Sequence, residues 1–106
     1  MKKSEDFHYQ RVMFRAACIR KERMITMEEA IHLAEKIEAL FDCMLSGEAD
    51  FSYIRQDGET EHTRGTLANY QKVFKRPCVS FPENVFMLYY DLNAERWRTF
   101  HMAFLL

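Results

Sequence analysis

In the stretch FSYIRQDGETEHTRGTL, residues 51–67, the dipeptide Asp57-Gly58 stands between two segments that carry aromatic and β-branched side chains. A two-residue hairpin turn of type I′ needs positive φ at both central positions, which Asp and Gly tolerate, so two antiparallel strands are expected to meet here. With Asp57-Gly58 as the whole loop, Gln56 faces Glu59, Arg55 faces Thr60, Tyr53 faces His62 and Phe51 faces Arg64. Alternation then places Phe51, Tyr53, Arg55, His62 and Arg64 on one face, and Ser52, Ile54, Glu61 and Thr63 on the other.

A second antiparallel pair is expected from VFMLYYD, residues 85–91, and RWRTFHMAF, residues 96–104, on either side of Leu92-Asn93-Ala94-Glu95. Pairing Asp91 with Arg96 sets Tyr90 opposite Trp97 and Tyr89 opposite Arg98, so that opposite charges and aromatic rings both favour the register. Between the two pairs, residues 68–84 hold both prolines and show no clear period. They read as a connection with short or irregular strand pieces at Val73-Phe74 and Val79-Ser80-Phe81. Short aromatic strands in such a length cannot form a large sandwich, and a flat sheet would leave its edges open. A small, strongly curved barrel is the economical arrangement.

The first half has a helical period. Between Ser4 and about Lys21, the residues Phe7, Val12, Phe14, Ala17 and Cys18 fall mostly to one side, with Arg11 and Arg15 on another. Thr26 followed by Glu29 makes a capping box, with Ile25 before it as a staple residue. Ala30, Ile31, Ala34, Ile37, Phe41 and Met44 then recur every three or four residues until Ser46-Gly47 supplies a stop. The expected architecture is α+β, an N-terminal αα-hairpin over residues 1–46 leading into a small SH3-like antiparallel β-barrel over residues 47–106.

A chain of 106 residues forms one domain by the usual length prior and buries a core without disulfides. Cys18, Cys43 and Cys78 are odd in number and lack C-x-x-C spacing, so reduced thiols in a cytoplasm are expected. No apolar run has signal-peptide or transmembrane character, and no membrane association is expected. The net charge of −1 excludes a general electrostatic footprint for nucleic acid, so any such binding must be local.

No P-loop, dinucleotide-binding, nucleophile-elbow or zinc-protease motif occurs, and no enzyme and no cofactor is expected. His8, His32, His62 and His101 lack metal-ligand spacing, so no metal site is expected. Cys18 and Cys43 read as small hydrophobes. Cys78 follows Arg76-Pro77, which lowers a thiol pKa if the charge is close, but no general base accompanies it. Glu59 and Glu61 read as strand-edge shielding, and Glu28-Glu29 as helix first-turn charge. The basic run Arg11, Arg15, Arg20, Lys21 and Arg23 reads as a solvated face. The remaining lead is arginine beside aromatic: Arg55 and Arg64 with Tyr53 and His62, and Arg96 and Arg98 around Trp97. Such sets stack bases and hold phosphates. Against this, Phe51 and Trp97 are assigned to the core, and Tyr53 suits either core or rim.

Phe51-Ser52-Tyr53, Asp57-Gly58, Gly65-Thr66-Leu67, Tyr89-Tyr90-Asp91 and Trp97-Arg98-Thr99-Phe100, in this order, resemble the WYL-related small bacterial SH3-like or Sm-like barrel proteins over about residues 47–104. The resemblance implies an SH3-like fold and a binding or regulatory role, since WYL-type domains are regarded as ligand or nucleic-acid sensors. The expected function is therefore a non-enzymatic, regulatory module for nucleic acid or a nucleotide-like ligand. Its candidate contacts are Tyr53, Arg55, His62, Arg64, Tyr90 and Arg98. The alternative is a protein-interaction or homodimerisation module.

Overall fold

The computed structural model describes the backbone of residues 2–106 and the side chains of residues 7–106. Two long helices, α1 (Lys2–Glu22) and α2 (Met27–Ser46), precede the strands β1 (Glu48–Ile54) and β2 (Thr60–Thr66). A short helix α3 (Tyr70–Phe74) follows, then β3 (Phe86–Asp91), β4 (Arg96–His101) and a 3-10 turn at Met102–Phe104. The strands form one antiparallel sheet in the order β1-β2-β3-β4. It curls far enough for Leu105 to bridge back to Tyr53, with the Leu106 N–H donating to the Ser52 carbonyl at 2.9 Å. The α+β fold, an αα-hairpin followed by a small barrel, is the architecture expected.

The start of α2 is the capping box: the Glu29 N–H donates to Thr26 Oγ1 at 3.1 Å and the Thr26 N–H to Glu29 Oε1 at 2.9 Å. Both of these donors would otherwise lack partners at a helix start. Along α2 the buried positions include Ala30, Ala34, Ile37 and Met44, as the period requires. The face of α1 differs from expectation. Val12, Arg15, Ala16 and Ile19 point inward, whereas Phe7, Phe14 and Ala17 are exposed and Cys18 is half-buried. Arg15 is the reason, because a charged residue, 1% exposed, sits in the middle of the inward face.

Its charge is met by Glu38. Arg15 Nε lies 2.9 Å from Glu38 Oε2, and Arg11 donates to both carboxylate oxygens at 3.2 Å. The same guanidinium groups reach the connection after α3, Arg15 to Ser80 Oγ at 3.2 Å and Arg11 to the Ser80 carbonyl at 2.7 Å. The basic run is therefore no solvated face as a whole. Arg11 and Arg23 are half-buried, Arg23 donating to the Ala103 carbonyl at 2.9 Å, and Arg20 and Lys21 alone remain exposed.

The hairpin at Asp57-Gly58 forms, but its loop is one residue longer than two. The Arg55 N–H donates to the Glu59 carbonyl and the Gly58 N–H to the Arg55 carbonyl, with Gly58 at φ +90. A three-residue loop with a left-handed glycine bulge shifts the register by one. Phe51 now faces Thr63, Ser52 faces His62, Tyr53 faces Glu61 and Asp50 faces Arg64. A slip of one exchanges the faces of a whole strand. Phe51, Tyr53, Thr63 and Gly65 thus turn inward, while His62 and Arg64 lie on the outer side with Asp50 and Ser52. The β3–β4 register is the one expected, Asp91 opposite Arg96, Tyr90 opposite Trp97 and Tyr89 opposite Arg98.

Val73-Phe74 belongs to α3, and Val79-Ser80-Phe81 forms no strand. Lys75, at φ 61, ends the helix, and Ser80 is held by the two arginines instead of by a ladder.

Inside the barrel, Phe51, Tyr53, Tyr89 and Phe100 pack ring against ring, Tyr53 on Phe100 at 5.0 Å and Phe51 edge-on to Tyr89 at 5.1 Å. Met44, at the end of α2, is fully buried against them and closes this end of the barrel. Gly65 is where these layers meet. A Cβ there would stand 2.7 Å from Tyr89 Cδ2, 3.1 Å from Phe51 and 3.3 Å from Met44 Sδ. Gly65→Ala is expected to cost about 1–3 kcal/mol through overpacking, read as a lower midpoint in urea with an unchanged slope.

Burial alone would raise the Glu38 carboxyl, but the hydrogen bonds from Arg11 and Arg15 outweigh it and hold the group below the ordinary carboxylate range. A depressed carboxyl contributes stability that is present above its unfolded pKa of about 4.3 and is lost as pH falls through the lower folded value. Glu38→Gln leaves Arg15 buried and unpaired, a change expected to cost about 3–5 kcal/mol at pH 7. Denaturation from about pH 7 down to pH 3 tests this, because the gap between the two proteins should narrow once Glu38 protonates.

Candidate nucleic-acid interface

The register shift and the ion pairs rearrange the expected contacts. Tyr53 is 3% exposed, and its hydroxyl lies 2.7 Å from that of Tyr89. Burial and this hydrogen bond together push the Tyr89 phenol well above its ordinary value. Tyr53 is therefore core. Arg55 is exposed at the turn, where Asp57 at 3.1 Å and Glu61 at 3.1 Å flank it. Arg64 lies outside, on Asp50 at 3.0 Å and Glu48 at 3.4 Å. His62 stands two residues before it on the same side of β2, with Nδ1 2.6 Å from Ser52 Oγ. Arg98 points to the interior side, 3.0 Å from Asp91 and 3.5 Å from Glu61.

Tyr53, Arg55 and Arg98 do converge. They line one cleft of about 290 Å³ at the seam between β1 and β4, together with Phe86, Phe100 and His101. His62, Arg64 and Tyr90 are not part of it. The shared hairpin face of Tyr53, Arg55, His62 and Arg64 does not exist, because the bulge divides it. Arg55, Arg64 and Arg98 also have carboxylates in place, so a phosphate approaching any of them competes with an existing anion.

Trp97 departs from expectation too. It is half-buried on the outer side of the sheet, not in the barrel interior, and alternation sends Arg96 and Arg98 to the opposite side. On this outer side Tyr90 meets Trp97 at 5.3 Å and 71°. The short helix α3 extends the row: Phe74 meets Trp97 at 5.1 Å and Tyr70 meets Phe74 at 4.6 Å. Four rings thus form a continuous row from β3 through β4 to α3, in which Phe74 is exposed, Tyr90 and Trp97 are half-buried and Tyr70 is buried beneath Phe74.

Cations border it. Arg76 donates to the Tyr70 hydroxyl at 3.0 Å and stands 6.0 Å from the Tyr70 and Phe74 ring centres. Lys72 and Lys75 are exposed on and just after α3. Among the described residues, no carboxylate lies within ion-pair distance of Lys72, Lys75 or Arg76. The signal was in the sequence, since no Asp or Glu occurs between Glu61 and Glu83 while YQKVFKR supplies three cations and two rings. Of the expected contacts, Tyr90 is the one that belongs to this surface.

Burial raises the Cys78 thiol, the opposite of what activation by Arg76 requires. Among the described residues, no group of three or more His, Cys, Asp or Glu side chains is placed to hold a metal ion. No helix among them is long and apolar enough to cross a membrane.

Comparison with curated proteins and with solved structures returns no match. A family model does match, over residues 37–106, from the middle of α2 to the last residue of the barrel. The curled sheet, the 3-10 turn that leads back to β1 and this match agree, and the chain belongs to the WYL_2 family, described as having an Sm-like SH3 β-barrel fold.

Proposed function

We propose that this small barrel is a non-enzymatic, regulatory binding module that takes single-stranded nucleic acid or a nucleotide-like ligand on the outer surface formed by α3, β3 and β4. The observation that supports this reading is the row Tyr90–Trp97–Phe74, seated on the buried Tyr70 and bordered by Lys72, Lys75 and Arg76. Every base has a π-face, so an aromatic surface takes bases with little regard to sequence, at about 1–3 kcal/mol per stacked base. The cations supply phosphate attraction locally in a chain whose net charge is −1. The regulatory part of the proposal rests on the resemblance to WYL-type sensors. A bacterial cytoplasm suits the free cysteines Cys18, Cys43 and Cys78.

Fluorescence anisotropy with short labelled single-stranded DNA and RNA, at about 50 and 200 mM salt, tests the reading. Neutralising about three phosphates predicts a slope near −2 in log affinity against log salt. Phe74→Ala is expected to weaken binding about 5- to 100-fold through lost stacking, and Arg76→Ala to flatten the salt slope by about 0.7. Arg64→Ala, on a cation already held by Asp50, should leave binding unchanged. Binding that ignores salt, or that Arg64→Ala weakens as much as Arg76→Ala, would overturn the proposal.

A further inference from the structure

His101 ends β4 and opens the 3-10 turn, and both nitrogens of its ring are in use. The Ala103 N–H donates to Nδ1 at 3.2 Å, and Nε2 lies 3.3 Å from Glu22 Oε1 at the end of α1. A backbone N–H only donates, so Nδ1 must present its lone pair. The single ring proton of the neutral imidazole then sits on Nε2, where the Glu22 carboxylate accepts it. Turning the ring over would set carbon atoms against both partners. Phe86 at 5.2 Å and Phe104 at 5.0 Å also pack edge-on against the ring.

The turn that Nδ1 caps is the one that closes the barrel. Beyond it, Leu105 bridges to Tyr53 and the Leu106 N–H donates to the Ser52 carbonyl at 2.9 Å. These contacts stand at the seam of β1 and β4, and His101 itself lines the cleft there with Tyr53, Arg55 and Arg98.

We propose that His101 is a proton-operated latch on this seam: the neutral ring caps the 3-10 turn and keeps the barrel closed, and protonation releases the turn and opens the cleft between β1 and β4. A second proton can go only on Nδ1, the atom that caps the turn. It removes the lone pair and sets N–H against N–H. The Glu22 contact serves both states, because Nε2 carries a proton in each, and so it keeps the ring on α1 while the turn gives way. The closed state thus excludes a proton that the open state accepts. Its capping contribution is present at neutral pH and above, and is lost as pH falls through the imidazole range.

Other charged or titratable groups face the ring from the elements around it. From α1, Arg15, Cys18 and Glu22 share a small cavity with it. Arg23, also following α1, donates to the Ala103 carbonyl at 2.9 Å and stands over Phe104 at 5.1 Å. Arg55 from the end of β1 and Arg98 from β4 line the cleft. Arginines keep their charge throughout. Between about pH 7.5 and 5, imidazole is the side chain whose charge ordinarily changes.

Nitrogen NMR of the imidazoles in the labelled full chain reads the tautomer, and the Nε2–H form is expected for His101 at neutral pH. Amide hydrogen exchange, expressed as protection relative to the intrinsic rate at each pH, reads the latch. From about pH 7.5 to 5 the Ala103 and Leu106 amides should lose protection at least about 5-fold, the effect of removing a cap. His101→Asn puts an oxygen where Nδ1 stands and takes up no proton, so its protection should persist at the lower pH. His62→Asn, beside Ser52, should respond to pH as the unaltered chain does. An Nδ1–H tautomer at neutral pH, protection in the unaltered chain that ignores pH, or an equal loss in His101→Asn would each overturn the proposal. The first two readings need no variant and decide the matter even if His101→Asn does not fold.

Discussion

The Glu38 carboxylate, placed between the guanidinium groups of Arg11 and Arg15, sets the relation of every other part. Through it α1 and α2 are joined, and through the arginines the Ser80 connection is tied to both. Arg15 also reaches Met102 Sδ at 3.4 Å, which brings in the 3-10 turn that closes the barrel. Replacing a buried ion pair wholesale by apolar groups is often harmless, while removing one partner is not. The pair therefore favours packings that keep both partners together. A placement of α1 that buried Arg15 away from Glu38 would strand a charge in the interior.

Legibility in the sequence followed how local each signal was. Thr26 and Glu29 lie within one helical turn and Asp91, Tyr90, Arg96 and Trp97 within one hairpin, and both features form as the sequence predicts. Asp57-Gly58 marked a turn but not its length, because the dipeptide serves a two-residue loop and a three-residue loop with a glycine bulge alike. One residue of ambiguity was enough to move Tyr53 inward and separate it from His62 and Arg64. The face of α1 is illegible for another reason. Hydropathy counts Arg15 as a surface residue, and nothing within α1 announces that its counter-charge is Glu38, 23 positions away.

The candidate site was less legible than the fold, since counting arginines does not count the carboxylates that fold against them. Arg55, Arg64 and Arg98 each acquire a partner from across a turn or a strand. Lys72, Lys75 and Arg76 lie in a stretch without acids, and that composition is visible without any structure. The missing step was the helix. Read as a strand fragment, Val73-Phe74 offers no reason for Tyr70 and Phe74 to stack. On α3 they are four residues apart and fall on the same side.

The family match covers residues 37–106, so its border falls inside α2. Ile37, Glu38 and Met44 lie within the matched residues, while Arg11 and Arg15 lie before them. Glu38 thus acts as a docking key cut into the barrel's own helix. A helix grafted in place of α1 must bring a cation to the same depth, or Glu38 is buried without a counter-charge. The helical pair and the barrel are thus joined by an electrostatic match across a border that falls in mid-helix, where no loop marks it.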